Sequence, residues 1–143
     1  MDNRPDNLTP AAAPAESQAV ERFSAQQLRA VKLRPCVPFS LEFALMNSPT
    51  ERWQCVAVLR HLPGKRLVLQ LQRDSLTVLC KLFFEGRDYH RELRGYGYLE
   101  RAGITTPGVR RHGVLAEGGS IIEYQFIAGR NLEQHNTELP LTP

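Results

Sequence analysis

Lys81 stands inside TVLCKLFF (residues 77–84), a run that is otherwise apolar and β-prone. Strand alternation sets Thr77, Leu79, Lys81 and Phe83 on one face and Val78, Cys80, Leu82 and Phe84 on the other. Both sets are largely apolar, so both faces are expected to be covered, and an ammonium group there needs an anionic partner. Glu92, about one turn into the charged segment that follows, is the nearest in sequence. Either residue alone has an ordinary reading, a solvated edge charge or a solvated helix face. Together they describe a positive charge held in a fixed place.

The other chemistry-bearing residue types form no such pattern. Cys36, Cys55 and Cys80 show no CxxC spacing, and three well-separated cysteines fit free thiols in a reducing compartment. His61, His90, His112 and His135 form no HExxH-like set, so no structural zinc or other metal site is expected.

The positioning elements follow from the pattern along the chain. Its 143 residues suit one domain, and 42% apolar with 23% charged residues is an ordinary globular composition. No apolar stretch reaches the length of a membrane span, and no secretory signal opens the chain. A net charge of +3 and a pI near 9.0 admit an anionic ligand without naming one. Residues 1–18, rich in Pro, Ala, Asn and Asp, read as a disordered tail. In the extension 19–50, Ser24 and Gln27 have capping-box spacing for a short helix, and FSLEFALMN alternates like a strand. From Trp53 onward WQCVAVLR, RLVLQLQ and LTVLCKLFF read as three strands joined by the turns HLPGK and RDS. DYHRELRGYGYLERAG carries Tyr89, Leu93, Tyr96 and Leu99 at helical spacing with Gly103 as its stop. VRRHGVL and SIIEYQFI then form two strands around the turn AEGG. The expectation is an α+β fold: a five-stranded antiparallel sheet with one packed helix over 51–134, an N-terminal helical or extended segment, and a tail at 135–143.

This β-β-β-α-β-β order, with the strand lysine and the helix glutamate, resembles the N-terminal lobe of the protein-kinase-like fold. More narrowly, VLRHLPGKRLVLQLQ, VLCKLFF, RELRGYGYLERAGITTPG and IIEYQFIAGRNL look like the bacterial lipopolysaccharide core kinases. The resemblance implies that Lys81 binds the α- and β-phosphates of ATP and that Glu92 holds it by an ion pair. It also implies that Glu123, Tyr124 and Gln125 form a hinge whose backbone bonds the adenine edge, with Ile122 at the back of the pocket. The hairpin tip RHLPGKR takes the place of a glycine-rich loop but has only Gly64, so Lys65, Arg60 or Arg66 would supply charge to the phosphates. Leu79, two residues before the lysine, replaces a customary alanine and narrows the adenine roof.

The resemblance implies ATP as cofactor and Mg²⁺ held by ligands outside this chain, since no HRD- or DFG-like triplet occurs. The expected function is the ATP-binding lobe of a phosphotransferase acting on a hydroxyl acceptor, a glycolipid sugar or a protein, with no turnover by this chain alone and no catalytic residue within it. The alternative is a non-catalytic regulatory or binding module that keeps the lobe's shape. A nucleic-acid partner is not expected, because aromatics do not interleave with the basic residues. The location implied is cytoplasmic, with the inner face of the inner membrane as the place a glycolipid acceptor suggests. Without a second lobe, the face carrying Leu79 and Phe83 and the hinge with Phe126 and Ile127 would stay uncovered. Self-association is then expected unless segment 19–46, with Phe39, Leu41, Phe43 and Leu45, folds back over it.

Overall fold

The computed structural model describes residues 20–126. The tail at 1–18, the end of the lobe at 127–134 (with Ile127) and the tail at 135–143 lie outside the described residues.

Seven strands and two helices follow one another as β1 (Glu21–Ser24), α1 (Ala25–Ala30), β2 (Phe39–Phe43), β3 (Glu51–Leu62), β4 (Arg66–Arg73), β5 (Leu76–Phe83), α2 (Gly86–Arg101), β6 (Val109–Val114) and β7 (Ser120–Gln125). All seven strands belong to one sheet in the order β1-β2-β3-β4-β5-β7-β6. The class is α+β as expected, but the five expected strands are extended by two from segment 19–50. Period-2 alternation of Phe39, Leu41 and Phe43 marks β2 as a half-buried strand, and it pairs antiparallel with β3 from Phe39↔Cys55 to Phe43↔Glu51. β1, too short to show a period, adds in parallel beside it. The 19–50 segment is therefore part of the sheet.

Local chemistry accounts for the punctuation. The Ser24 hydroxyl accepts from the Gln27 N–H at 3.1 Å while the Gln27 side chain accepts from the Ser24 N–H at 2.8 Å, so the capping box starts α1. Gly64 at φ 72° and Asp74 at φ 55° make the two tight turns of the β3–β4–β5 meander. Gly103 at φ 76° ends α2, and the Ile104 N–H bonds back to the Leu99 carbonyl at 3.0 Å.

The sheet curls. β2 and β6 lie near opposite ends of the strand order, yet Leu45 bridges Leu115, the Met46 N–H reaches the Val114 carbonyl at 2.9 Å and the Ala116 N–H reaches Ala44 at 2.8 Å. Irregular register in β3 between Cys55 and Ala57 and between Val58 and Arg60 supplies part of the bend. The concave side encloses the main core, with Phe39, Trp53, Leu69, Cys80 and Ile121 contributed by successive strands and Leu28 of α1 packed among them. α2 lies on the convex side, where Tyr89, Leu93 and Tyr96 cover Phe83, Ile122 and Tyr124.

The expected self-folding of segment 19–46 occurs on the other side from the one anticipated. Phe39, Leu41 and Phe43 bury against the face of Val78, Cys80 and Leu82, while Phe83 is buried by α2 itself. Of the face thought to be uncovered, Leu79 remains half-buried and Phe126 is 36% exposed.

Candidate functional site

Lys81 and Glu92 meet. The Lys81 Nζ lies 2.5 Å from Glu92 Oε2, strand to helix, with side-chain exposures of 28% and 20%. The helical spacing that buries Tyr89, Leu93 and Tyr96 turns Glu92 inward beside them, and β5's alternation points Lys81 to the same convex face. The same Glu92 oxygen accepts the Tyr124 hydroxyl at 2.6 Å, and Lys81 Nζ lies 5.4 Å from the centre of the Tyr124 ring. One carboxylate oxygen thus holds two donors from adjacent strands. Burial raises the Tyr124 hydroxyl well above the usual tyrosine range, and its bond to Glu92 adds to the rise.

These three residues stand at the edge of a cleft of about 550 Å³, lined also by Leu79, Gly95, Tyr96, Leu99, Thr106 and Pro107. Its walls are apolar apart from the ion pair and a few hydroxyls, which is the make-up of a small-molecule site of ordinary size. Tyr96 fixes the far wall, its hydroxyl accepting the Val109 N–H at 3.2 Å.

The remaining expected residues are distributed differently. Ile122 is buried directly beside Lys81 in the ladder, beneath α2. Glu123, Tyr124 and Gln125 end β7, paired with Cys80, Leu79 and Val78 on one side, while on the other Tyr124 and Glu123 pair with Val109 and Arg111. The Gln125 N–H donates to the Gly108 carbonyl at 2.8 Å. Of the three, only the Tyr124 side chain enters the cleft. Leu79 lines the cleft as its roof, opposite Tyr124 in the ladder. Lys65 is exposed at the hairpin tip and does not line the cleft. Val68 is the residue opposite Lys81, so Lys65 lies three residues further, roughly 10 Å along the strand. Arg60 and Arg66 do not line the cleft either.

A second cluster lies on the concave face and carries no sequence signal. Arg111 Nη1 and Nη2 donate to both Glu51 oxygens at 2.8 and 2.5 Å, and Nη2 also reaches Glu123 Oε2 at 2.7 Å. Trp53 Nε1 donates to Glu51 at 2.9 Å, and the Arg73 guanidinium lies 4.4 Å above the Trp53 ring. The hydrogen bond from Arg111 holds the Glu51 carboxyl below the usual range. Glu123 is wholly buried here, facing away from the cleft. The arginine's value was hidden because its partners sit 60 and 12 residues away.

Among the described residues no group of three or more His, Cys, Asp or Glu is placed to hold a metal ion. No described helix is long and apolar enough to cross a membrane. Compared with protein-family models, curated proteins and solved structures, the chain matches none. What the fold and site define is an α+β sheet protein with an ion-paired, largely apolar cleft between a strand and its helix.

Proposed function

We propose that this chain is the ATP-binding N-terminal lobe of a kinase-like phosphotransferase acting on a hydroxyl acceptor, a lipopolysaccharide-core sugar or a protein. The observation that carries this reading is the Lys81–Glu92 pair at the mouth of the apolar cleft, on a strand and on the helix inserted directly after it. Lys81 would supply a point charge to the nucleotide phosphates, Glu92 would hold that charge in position, and the base would lie against Leu79, Leu99 and Tyr124. Transfer also needs an aspartate to orient the acceptor and groups to bind Mg²⁺, for which the sequence has no HRD- or DFG-like triplet. This chain by itself is therefore expected to bind nucleotide weakly and to transfer no phosphoryl group.

Calorimetric titration with ATP tests the reading. Losing a charge-assisted contact of about 1.5–3 kcal/mol should weaken binding by about tenfold or more in Lys81→Met. Glu92→Gln should weaken it less, because Lys81 stays. Equal ATP affinity of wild type and a folded Lys81→Met variant would sink the assignment.

A second reading, a non-catalytic module that retains this shape, is favoured by the backbone at 123–125. Glu123 and Tyr124 are paired on both sides in the sheet, the Gln125 N–H is bonded to Gly108, and Tyr124 already satisfies Glu92. The two readings part on the same titration, since the module should give no ATP heat at millimolar ligand.

A further inference from the structure

The outer face of α2 carries a pattern that the cleft does not use. Arg87, Arg91, Arg94, Tyr98 and Arg101 are all exposed. At 100° per residue they fall within an arc of about 80°, opposite the buried arc of Tyr89, Leu93 and Tyr96. The stripe is straight and runs roughly 21 Å from Arg87 to Arg101. The helix keeps its acids elsewhere: Glu92 points inward to Lys81, and Asp88 and Glu100 lie outside the arc. Among the described residues none of these four arginines has a carboxylate within ion-pair distance. An ordinary solvated helix face interleaves both signs of charge. This one is of a single sign.

We propose that this face of α2 is a docking surface for an anionic lipid bilayer. Headgroup phosphates are the complement of an unpaired arginine row, each arginine forming a fork with phosphate oxygens. Two observations favour a bilayer over a nucleic acid. Tyr98 is 72% exposed within the row, with the Arg101 guanidinium 5.4 Å from its ring centre. At the same end Ile104, just past the helix, is 52% exposed. An aromatic and an aliphatic group beside arginines gain free energy at a headgroup boundary and nothing against a phosphate backbone. Single-stranded nucleic acid, in turn, needs several stacking aromatics, and the stripe has one. The basic field continues past the start of α2, because the Phe84 N–H bonds the Lys65 carbonyl at 2.9 Å and so places Lys65 of the hairpin tip beside it. The docked helix would lie flat, with its inner face still packed on the sheet.

The inference does not rest on the nucleotide reading, and its test does not use ATP. The full chain is mixed with vesicles of phosphatidylethanolamine and phosphatidylglycerol, and with vesicles of phosphatidylcholine, and bound protein is measured by flotation. Binding is expected to the anionic vesicles alone and to be lost in about 0.5 M salt. At about fivefold per arginine, Arg91→Gln with Arg94→Gln should weaken partition about 25-fold, while Arg29→Gln on α1 should leave it unchanged. Circular dichroism establishes that the variants fold. If that double variant unfolds, Arg87→Gln with Arg101→Gln carries the same expectation. Equal binding to both vesicle types, a folded double variant that partitions like wild type, or release from anionic vesicles by a stoichiometric single-stranded oligonucleotide would each overturn the proposal.

Discussion

Replacing Arg111 with methionine should cost the fold more than any substitution in the cleft. Its guanidinium, on β6, spans the concave side to Glu51 on β3 and also holds Glu123 on β7. Without it Glu123, 0% exposed, keeps only the Arg110 Nε at 3.5 Å. Breaking a buried ion pair costs about 3–5 kcal/mol because a charge is left unpaired. Arg111 is 26% exposed and Glu51 retains Trp53 and Arg73, so the low end applies. At about 4 °C per kcal/mol, thermal melting at neutral pH should fall by about 12 °C. Acid should narrow the gap. In wild type the Arg111 hydrogen bond lowers the Glu51 pKa, so that stability is present above the unfolded value and disappears as pH falls through the folded one. Adding Glu123→Leu to Arg111→Met should restore part of the loss by removing the stranded charge. A melting temperature within about 2 °C of wild type for Arg111→Met would refute the reasoning.

Tyr124→Phe should lower stability by about 1.5 kcal/mol, the low end of the range for a hydrogen bond to a charged group, since Glu92 is 20% exposed and keeps Lys81. Because the folded Tyr124 pKa is raised, that contribution is intact below pH 10 and is lost as pH climbs toward the folded value, so alkaline melts of wild type and variant should converge. Iodoacetamide should label Cys36 alone in the native protein, since burial pushes the Cys55 thiol up to about 12 and the Cys80 thiol well above its usual range. Rapid labelling of all three would show an open core. Gly119→Ala, at φ 91° with its new methyl 2.9 Å from the Phe83 carbonyl, should destabilise by about 1–3 kcal/mol, and an unchanged melt would count against the tight β6–β7 turn.

The strands 51–125, the helix and the Lys81–Glu92 pair were legible because each rests on a local period: two for the strands, 3.6 for α2, and a lone charge in an apolar run. Three features were not. β1 has four residues, too few for a period, and it pairs only because β2 offers an edge. How the end of β7 is held was hidden because Glu123 and Tyr124 pair with β5 on one side and β6 on the other, a strand order that no local pattern carries. The Arg111 cluster needed the curl of the sheet, a global property that no window of residues carries.

That curl also changes what the cleft rests on. β5 and β7, which present Lys81 and Tyr124, are stiffened from behind by Cys80, Leu82 and Ile121 in a core that the 19–46 segment completes. α2 is attached more lightly, through Tyr89, Leu93 and Tyr96, the Glu92 bonds, and the Tyr89 hydroxyl 2.9 Å from His112 Nδ1. The position of Glu92 therefore depends on how α2 lies, while the position of Lys81 does not. Any force on the outer arginines of α2 is transmitted along a rigid helix to Glu92 first. If the bilayer proposal holds, docking would bear on the ion pair from the helix side, and the strand side would supply the fixed reference.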